Sequence, residues 1–305
     1  MKIASVRNGL LWKHGKPVVP GYESSWGTFT SKLPTSSWGI PALAAAGIHT
    51  CPSATFTERQ LNPTLKKPIG KGTMYICIWC YPRAKTSRYR MPFAKQAGIN
   101  RLLYTQECIE NGNEQVWIDY QVGYVRWATR NNSHFRIHDQ GDFYRTEYVQ
   151  MWIEVAKALP EVDFWASTRA WHLRADGDPV AHEAILSLLR DFHALRNVQV
   201  KPSALAFITG TEDELIPDVH LPPRIHGLGG GTSAHLTGAL LPKGIRMCPS
   251  HSQKGQCLGA KHGGVDCVAC WSNARVSYES TGDLHGRRTV RDARGDNGGD
   301  VQRRA

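Results

Sequence analysis

The chain has 305 residues, 41% of them hydrophobic, and a formal net charge of +11. That length supports one large core or two modest ones, and no apolar run approaches the roughly eighteen residues of a membrane span. The opening residues Met1 to Lys16 are too polar for a secretory leader, so the expected place is the cytoplasm, where eight cysteines stay reduced and serve metal binding or catalysis.

The charge gathers at the start. Residues 1–100 carry 14 Lys and Arg against Glu23 and Glu58 alone, a local +12, and the remainder sums to −1. A positive field confined to one region suits a polyanionic partner or an anionic cofactor. It equally suits a solvated basic face. Residues 18–50 are rich in Pro, Gly, Ser and Thr and read as irregular. Residues 1–50 are therefore expected to form a basic lead-in packed on a main domain at 51–240.

Three cysteines follow: Cys51, then Cys77 and Cys80 flanking Ile78 and Trp79. Three thiolates suit a four-iron cluster with one iron open to another ligand. A structural zinc site demands a fourth ligand, for which Cys108 or His49 would serve.

Further along, Val116, Ile118, Val122, Val125 and Trp127 predict a helix over Glu114–Arg130. Phe135–His138 alternates like a strand. Tyr148, Met151, Trp152, Val155 and Leu159 mark a second helix, with Thr146 as its N-cap. A strand at Val162–Ala166, a helix at Ala181–Leu195 and a strand at Val198–Val200 continue the series. This alternation with short connections predicts an α/β fold with a parallel sheet, open or barrel-like.

Ligands gather beyond the carboxyl ends of such strands. The block Phe135–Tyr144 places His138, Asp139 and Asp142 where a strand should end, and Gly141 lets backbone approach a ligand closely. Asp and Gly also make ordinary turns. Thr168 and Arg169 end the next strand, and Lys201 to Ser203 the one after, so all belong to one candidate rim. The run Gly227–Ser233 lacks the lysine and strand–helix context of a phosphate loop and reads as a flexible loop.

Cys248, Cys257, Cys267 and Cys270 make a second group, matching the ligand set of tetrahedral zinc or a four-iron cluster. Two residues between Cys267 and Cys270 let both sulfurs face one ion. Residues 241–272 are expected to be a loop-rich metal segment, and 273–305, poor in large apolar residues, a disordered tail.

Several blocks together resemble the phage-encoded Gene Product 88 domain family. They are Thr50–Thr55, the cysteine pair running into Tyr81, Phe135–Tyr144 followed by Tyr148–Ala156, Phe164–Trp171, and the terminal cysteine blocks. The resemblance spans about Ser31 to Tyr278. That family in turn resembles radical S-adenosylmethionine (SAM) enzymes, which implies a partial (β/α) barrel with a loop-rich C-terminal cysteine segment.

In those enzymes three cysteines bind a four-iron cluster, an aromatic residue precedes the last of them, and SAM takes the open iron. The resemblance assigns Cys51, Cys77 and Cys80 to the cluster. It assigns Gly141 and Asp142 to SAM, with Thr168 and Arg169 beside them as cofactor-binding residues. The spacing departs from the pattern, because 25 residues separate Cys51 from Cys77 where those enzymes have three. Loop closure tolerates this, since its entropy grows slowly with length.

The implied reaction is one-electron reduction of SAM to an adenosyl radical that takes hydrogen from a substrate. His138 and Asp139 would orient substrate or move protons. The C-terminal cysteines would hold a second four-iron cluster or a zinc. Phage origin and the basic first third point to nucleic acid or a nucleotide as substrate, in the host cytoplasm. The alternative is a non-enzymatic nucleic-acid-binding protein stabilised by zinc or a cluster.

Overall fold

The computed structural model describes residues 5–7, 10–13, 16–22, 28–29, 35–54, 75–77, 80, 91–209, 215–216, 219–236, 239–249 and 269–280. Small antiparallel pieces come first. β1 (Ser5–Arg7), β2 (Leu10–Lys13) and β3 (Lys16–Pro17) form a ribbon. β4 (Thr28–Phe29) pairs with β5 (Ser36–Ser37), and β6 (Ala44–Ala45) with β7 (Ile48–His49). Helices α1 (Pro92–Glu110) and α2 (Glu114–Thr129) follow.

Strands and helices then alternate: β8 (His134–Arg136), α3 (Thr146–Ala158), β9 (Asp163–Thr168), α4 (Pro179–Ala194) and β10 (Val198–Ile208). β11 (Thr232–Leu236), β12 (Arg246–Met247) and β13 (Val276–Ser280) are the last strands among the described residues. The six later strands form one sheet in the order β12-β13-β11-β10-β9-β8, every neighbour parallel. The sheet curls into a half-barrel, as the alternation predicts.

Strand periodicity decides which side is dry. Phe135, Phe164, Ala166, Val198 and Val200 face the helices and join Trp117, Tyr124, Trp152, Val155, Leu189 and Phe192 in one core. Parallel strands joined by right-handed crossovers place their helices on one face, which is why this core is continuous. Edge-to-face rings fill it, such as Trp117 against Trp152 at 5.3 Å. Each such pair adds about 0.5–1.5 kcal/mol beyond burial.

Several boundaries differ from expectation for local reasons. α4 starts at Pro179 because Asp178 caps it, accepting the Val180 amide at 2.9 Å. Thr146 is the first helical residue rather than the N-cap. The cap is the extended Arg145, whose guanidinium grips Glu147 at 3.0 and 2.8 Å. α1 carries little helical signal, since it buries Gly98, Asn100 and Arg101. Arg101 is tolerated there because it donates to the Gly39 carbonyl and lies over Trp38, 5.7 Å from its centroid.

Two expectations are corrected. The Gly227–Ser233 run is no loose loop: Gly229 donates to the Val200 carbonyl at 2.9 Å, and Thr232 and Ser233 belong to β11. Residues 273–280, expected to belong to a disordered tail, instead lead into β13, which pairs with β11 as far as Ser280. Val276 and Tyr278 pack there with Cys248 and Ala269. Residues 281–305 lie outside the described residues. Among the described residues no helix is long and apolar enough to cross a membrane.

Candidate functional site

Beyond the carboxyl end of β8 the chain turns at Gly141, whose φ is +77°. A Cβ there would overlap the Ile40 side chain and lie 2.9 Å from its carbonyl oxygen. Both the left-handed backbone and the close approach therefore require glycine. Gly141→Ala is expected to destabilise the protein by about 2–3 kcal/mol. A urea melt checks this, and an unchanged midpoint would refute the close approach.

The next residue joins three parts of the molecule. The Asp142 amide donates to the Thr50 carbonyl at 2.9 Å, which ties the loop after β8 to the residue preceding Cys51. Its carboxylate accepts Thr168 Oγ1 at 2.5 Å, the Arg169 amide at 2.8 Å and the Phe143 amide at 2.8 Å. Burial raises the pKa of this carboxyl, and those three donors oppose the rise without reversing it. A carboxylate offers about four lone-pair sites, so one acceptor position remains. Arg169 in turn donates Nε to the Ala204 carbonyl at 3.0 Å, fastening the end of β9 to β10.

Thr50 is itself held by Pro41 and Leu43. Its Oγ1 donates to the Pro41 carbonyl at 2.5 Å and its amide to the Leu43 carbonyl at 2.7 Å. Cys51 Sγ accepts the Leu43 amide at 3.3 Å. The second cysteine segment rests on β10: Tyr75 bridges Ala206, and the Ile76 amide donates to the Leu205 carbonyl at 2.9 Å. Cys80 N reaches Cys77 O at 3.4 Å.

Burial pushes the Cys51 thiol pKa well up, and the charges of Asp142, Cys80 and Cys77 push it further. The fold thus brings Cys51, Cys77 and Cys80 into electrostatic reach of one another, together with Asp142. Among the described residues no three His, Cys, Asp or Glu side chains converge closely enough to hold a metal ion. Trp79 lies outside the described residues.

The other expected participants sit elsewhere. His138 is 2% exposed, packs 4.6 Å from the Phe143 ring and shares a 3.1 Å hydrogen bond with Tyr148 through Nε2. Burial, then the nearby Arg136 charge, lowers its pKa to about 3, so it is neutral. Asp139 is equally buried, in space that exists because residue 39 is glycine: a Cβ there would overlap its carboxylate. Both therefore point into the core behind the rim. Cys108 lies on α1 in the aromatic core, hydrogen-bonded to Tyr104, and His49 is exposed on β7.

Cys248 and Cys270 come together around Tyr278, whose hydroxyl is 3.1 Å from Cys270 Sγ. Burial and the charges of both cysteines raise that phenol's pKa. Cys257 and Cys267 lie outside the described residues. Cys270 lies just before β13, whereas Cys248 directly follows the carboxyl end of β12 and its amide donates to the Ser277 carbonyl at 2.8 Å. Trp271, beside Cys270, packs 4.9 Å from His134 and 5.6 Å from Trp165.

Fully buried Lys201 donates Nζ to the Gly230 and Ala274 carbonyls at 3.1 and 2.5 Å. Burial lowers its pKa to about 8. Reading Lys201 as a rim residue missed this. Its side chain alternates away from the helices and reaches the backbone just before β11 and β13.

The Gene product 88 family model matches residues 13–205, a span that contains Cys51, Cys77, Cys80, Gly141, Asp142, Thr168 and Arg169. No curated protein and no solved structure matches the chain. The matched span covers well over half the sequence and includes every side chain of the upper rim; the chain belongs to the Gene product 88 family.

Proposed function

We propose that the upper rim holds a four-iron cluster on Cys51, Cys77 and Cys80, with SAM beside it, and that the protein acts as a radical-SAM-like enzyme. The observation that carries this reading is the Asp142–Thr50 hydrogen bond. It fixes the residue before Cys51 beyond the carboxyl end of β8, with Cys77 and Cys80 within electrostatic reach of Cys51.

The donor chemistry fits. Three thiols and a carboxyl lie within electrostatic reach of one another and are the donor types such a cluster takes, and the thiols would draw together on binding it. A four-iron cluster, when bound, supplies a one-electron reductant to SAM. The chain's own residues then bind and orient. Asp142 offers its remaining acceptor to an ammonium group, and Thr168 with the Arg169 amide fixes that carboxyl's direction. The described part of the Tyr75–Cys80 segment is anchored on β10 through Tyr75 and Ile76. Around Tyr278, Cys248 and Cys270 belong to a second metal group, an iron–sulfur cluster or a zinc. The +12 field of residues 1–100 supports a nucleic acid or nucleotide as substrate.

Anaerobic purification with iron, sulfide and zinc analysis tests this. The protein should be brown, and its reduced spectrum should change on adding SAM. Cys80→Ser should remove the upper cluster, while Asp142→Ala should keep it and weaken the SAM response. Stoichiometric zinc at the upper site with no SAM response would instead assign a non-enzymatic nucleic-acid-binding role.

A further inference from the structure

At the amino ends of β11 and β13, away from the cysteine rim, lies an open cavity of about 430 Å³. The glycine-rich run that opens into β11 forms one of its walls. The polar side chains lining it are Arg224, His226, Asn273 and Arg275, with Ile225 and Leu228 contributing apolar surface. None of its lining residues is acidic. Residues 101–305 are close to neutral overall, so two guanidiniums here form a local concentration of positive charge.

The wall is built, not loose. The Gly230 amide donates to Asn273 Oδ1 at 2.6 Å, and the Gly230 carbonyl accepts buried Lys201. A Cβ on Gly230 would overlap the Asn273 carbonyl, so only glycine lets these two backbones meet. Arg275 is fixed as well, since Nε and Nη2 both donate to the Pro222 carbonyl at 3.2 and 2.6 Å. With Oδ1 committed to Gly230, Asn273 presents its amide nitrogen as a further donor. Arg275 and Asn273, held in advance, lose little entropy on binding an anion.

Size narrows the ligand. Small-molecule sites occupy about 300–1,000 Å³, and a lone phosphate would leave most of this cavity empty. We propose that the cavity binds a nucleotide, its phosphoryl group held by Arg224, Arg275 and Asn273 and its remainder lying along Ile225 and Leu228. That nucleotide is either free or part of a nucleic-acid strand. The site is separate from the cysteine rim and stands whether or not a cluster is bound there.

Binding to the full-length protein should be measured with adenosine monophosphate and with a short single-stranded oligonucleotide, inorganic phosphate serving as competitor. Arg224 is exposed, so Arg224→Gln and Arg224→Glu should fold. Lys157→Glu, on the exposed side of α3, controls for overall charge. A charge-assisted contact is worth about 1.5–3 kcal/mol, so Arg224→Glu should weaken binding at least about tenfold, and Arg224→Gln by less. Lys157→Glu should leave binding within about twofold of wild type. Phosphate should compete.

Arg224-dependent binding of either ligand supports the site. The mononucleotide arm identifies a free nucleotide, and dependence confined to the oligonucleotide identifies a strand. Equal weakening by Arg224→Glu and Lys157→Glu, or no measurable binding of either ligand, overturns the proposal.

Discussion

Asp142→Ala is expected to destabilise the protein by about 3 kcal/mol and lower its melting temperature by roughly 5–10 °C. The reason is local. The carboxylate is the acceptor for Thr168 Oγ1 and for the Arg169 and Phe143 amides, all at the end of the parallel strands. Each buried donor left without a partner costs about 1–3 kcal/mol. The loss is moderated because the folded protein already disfavours the ionised carboxyl, whose pKa burial has raised. Asp142→Asn keeps one oxygen acceptor and should recover part of the difference. Thermal melts of the three proteins decide the matter, and an alanine variant melting within a degree of wild type would remove Asp142 as the clasp of the rim.

Acid should destabilise the protein through His138. Its folded pKa is depressed from 6.5 to about 3, first by burial and then by Arg136. A neutral buried histidine means that the unfolded chain binds the extra proton. The stability held above the unfolded pKa is therefore lost as pH falls from 6.5 towards 3. At about 1.4 kcal/mol per pH unit, the loss reaches roughly 2 kcal/mol at pH 5.

His138→Gln cannot titrate but can still pair with Tyr148. Its urea-melt stability should fall less steeply than that of wild type between pH 6.5 and 5. Asp142 cannot mimic this. Its pKa is raised, so its contribution is present below the ordinary carboxylate pKa and is lost as pH rises through the folded value. Parallel stability–pH curves for wild type and His138→Gln would show that His138 is not held neutral.

The regular part of the fold was legible in the sequence. The helices predicted from Val116 to Trp127 and from Tyr148 to Leu159 reappear as α2 and α3, but only α3 buries the predicted face; α2 buries Trp117, Tyr120, Tyr124 and Val125 and leaves Val116 exposed. The alternation of strands and helices implied a parallel sheet. α1 was not legible. Buried Asn100 and Arg101 break its apolar stripe, and what shelters Arg101, the Gly39 carbonyl and the Trp38 ring, lies more than sixty residues away. β13 was hidden by its short apolar alternation within a polar tail, and pairing with β11 and β12 stabilises it.

At the candidate site, sequence alone determined which residue types are present: the cysteines, the Gly141–Asp142 turn and the strand end at Thr168. These follow from composition and local backbone chemistry. Tertiary structure alone decided which of them meet. The Thr50–Asp142 bond ties the residue before Cys51 to the loop after β8, with Cys77 and Cys80 within electrostatic reach of Cys51, while His138 and Asp139, four and three residues before Asp142, turn into the core. The physical reason is that a parallel sheet brings strand ends together across any length of intervening chain. Neighbouring residues, by contrast, are sent to opposite faces by the pleat and by a glycine turn.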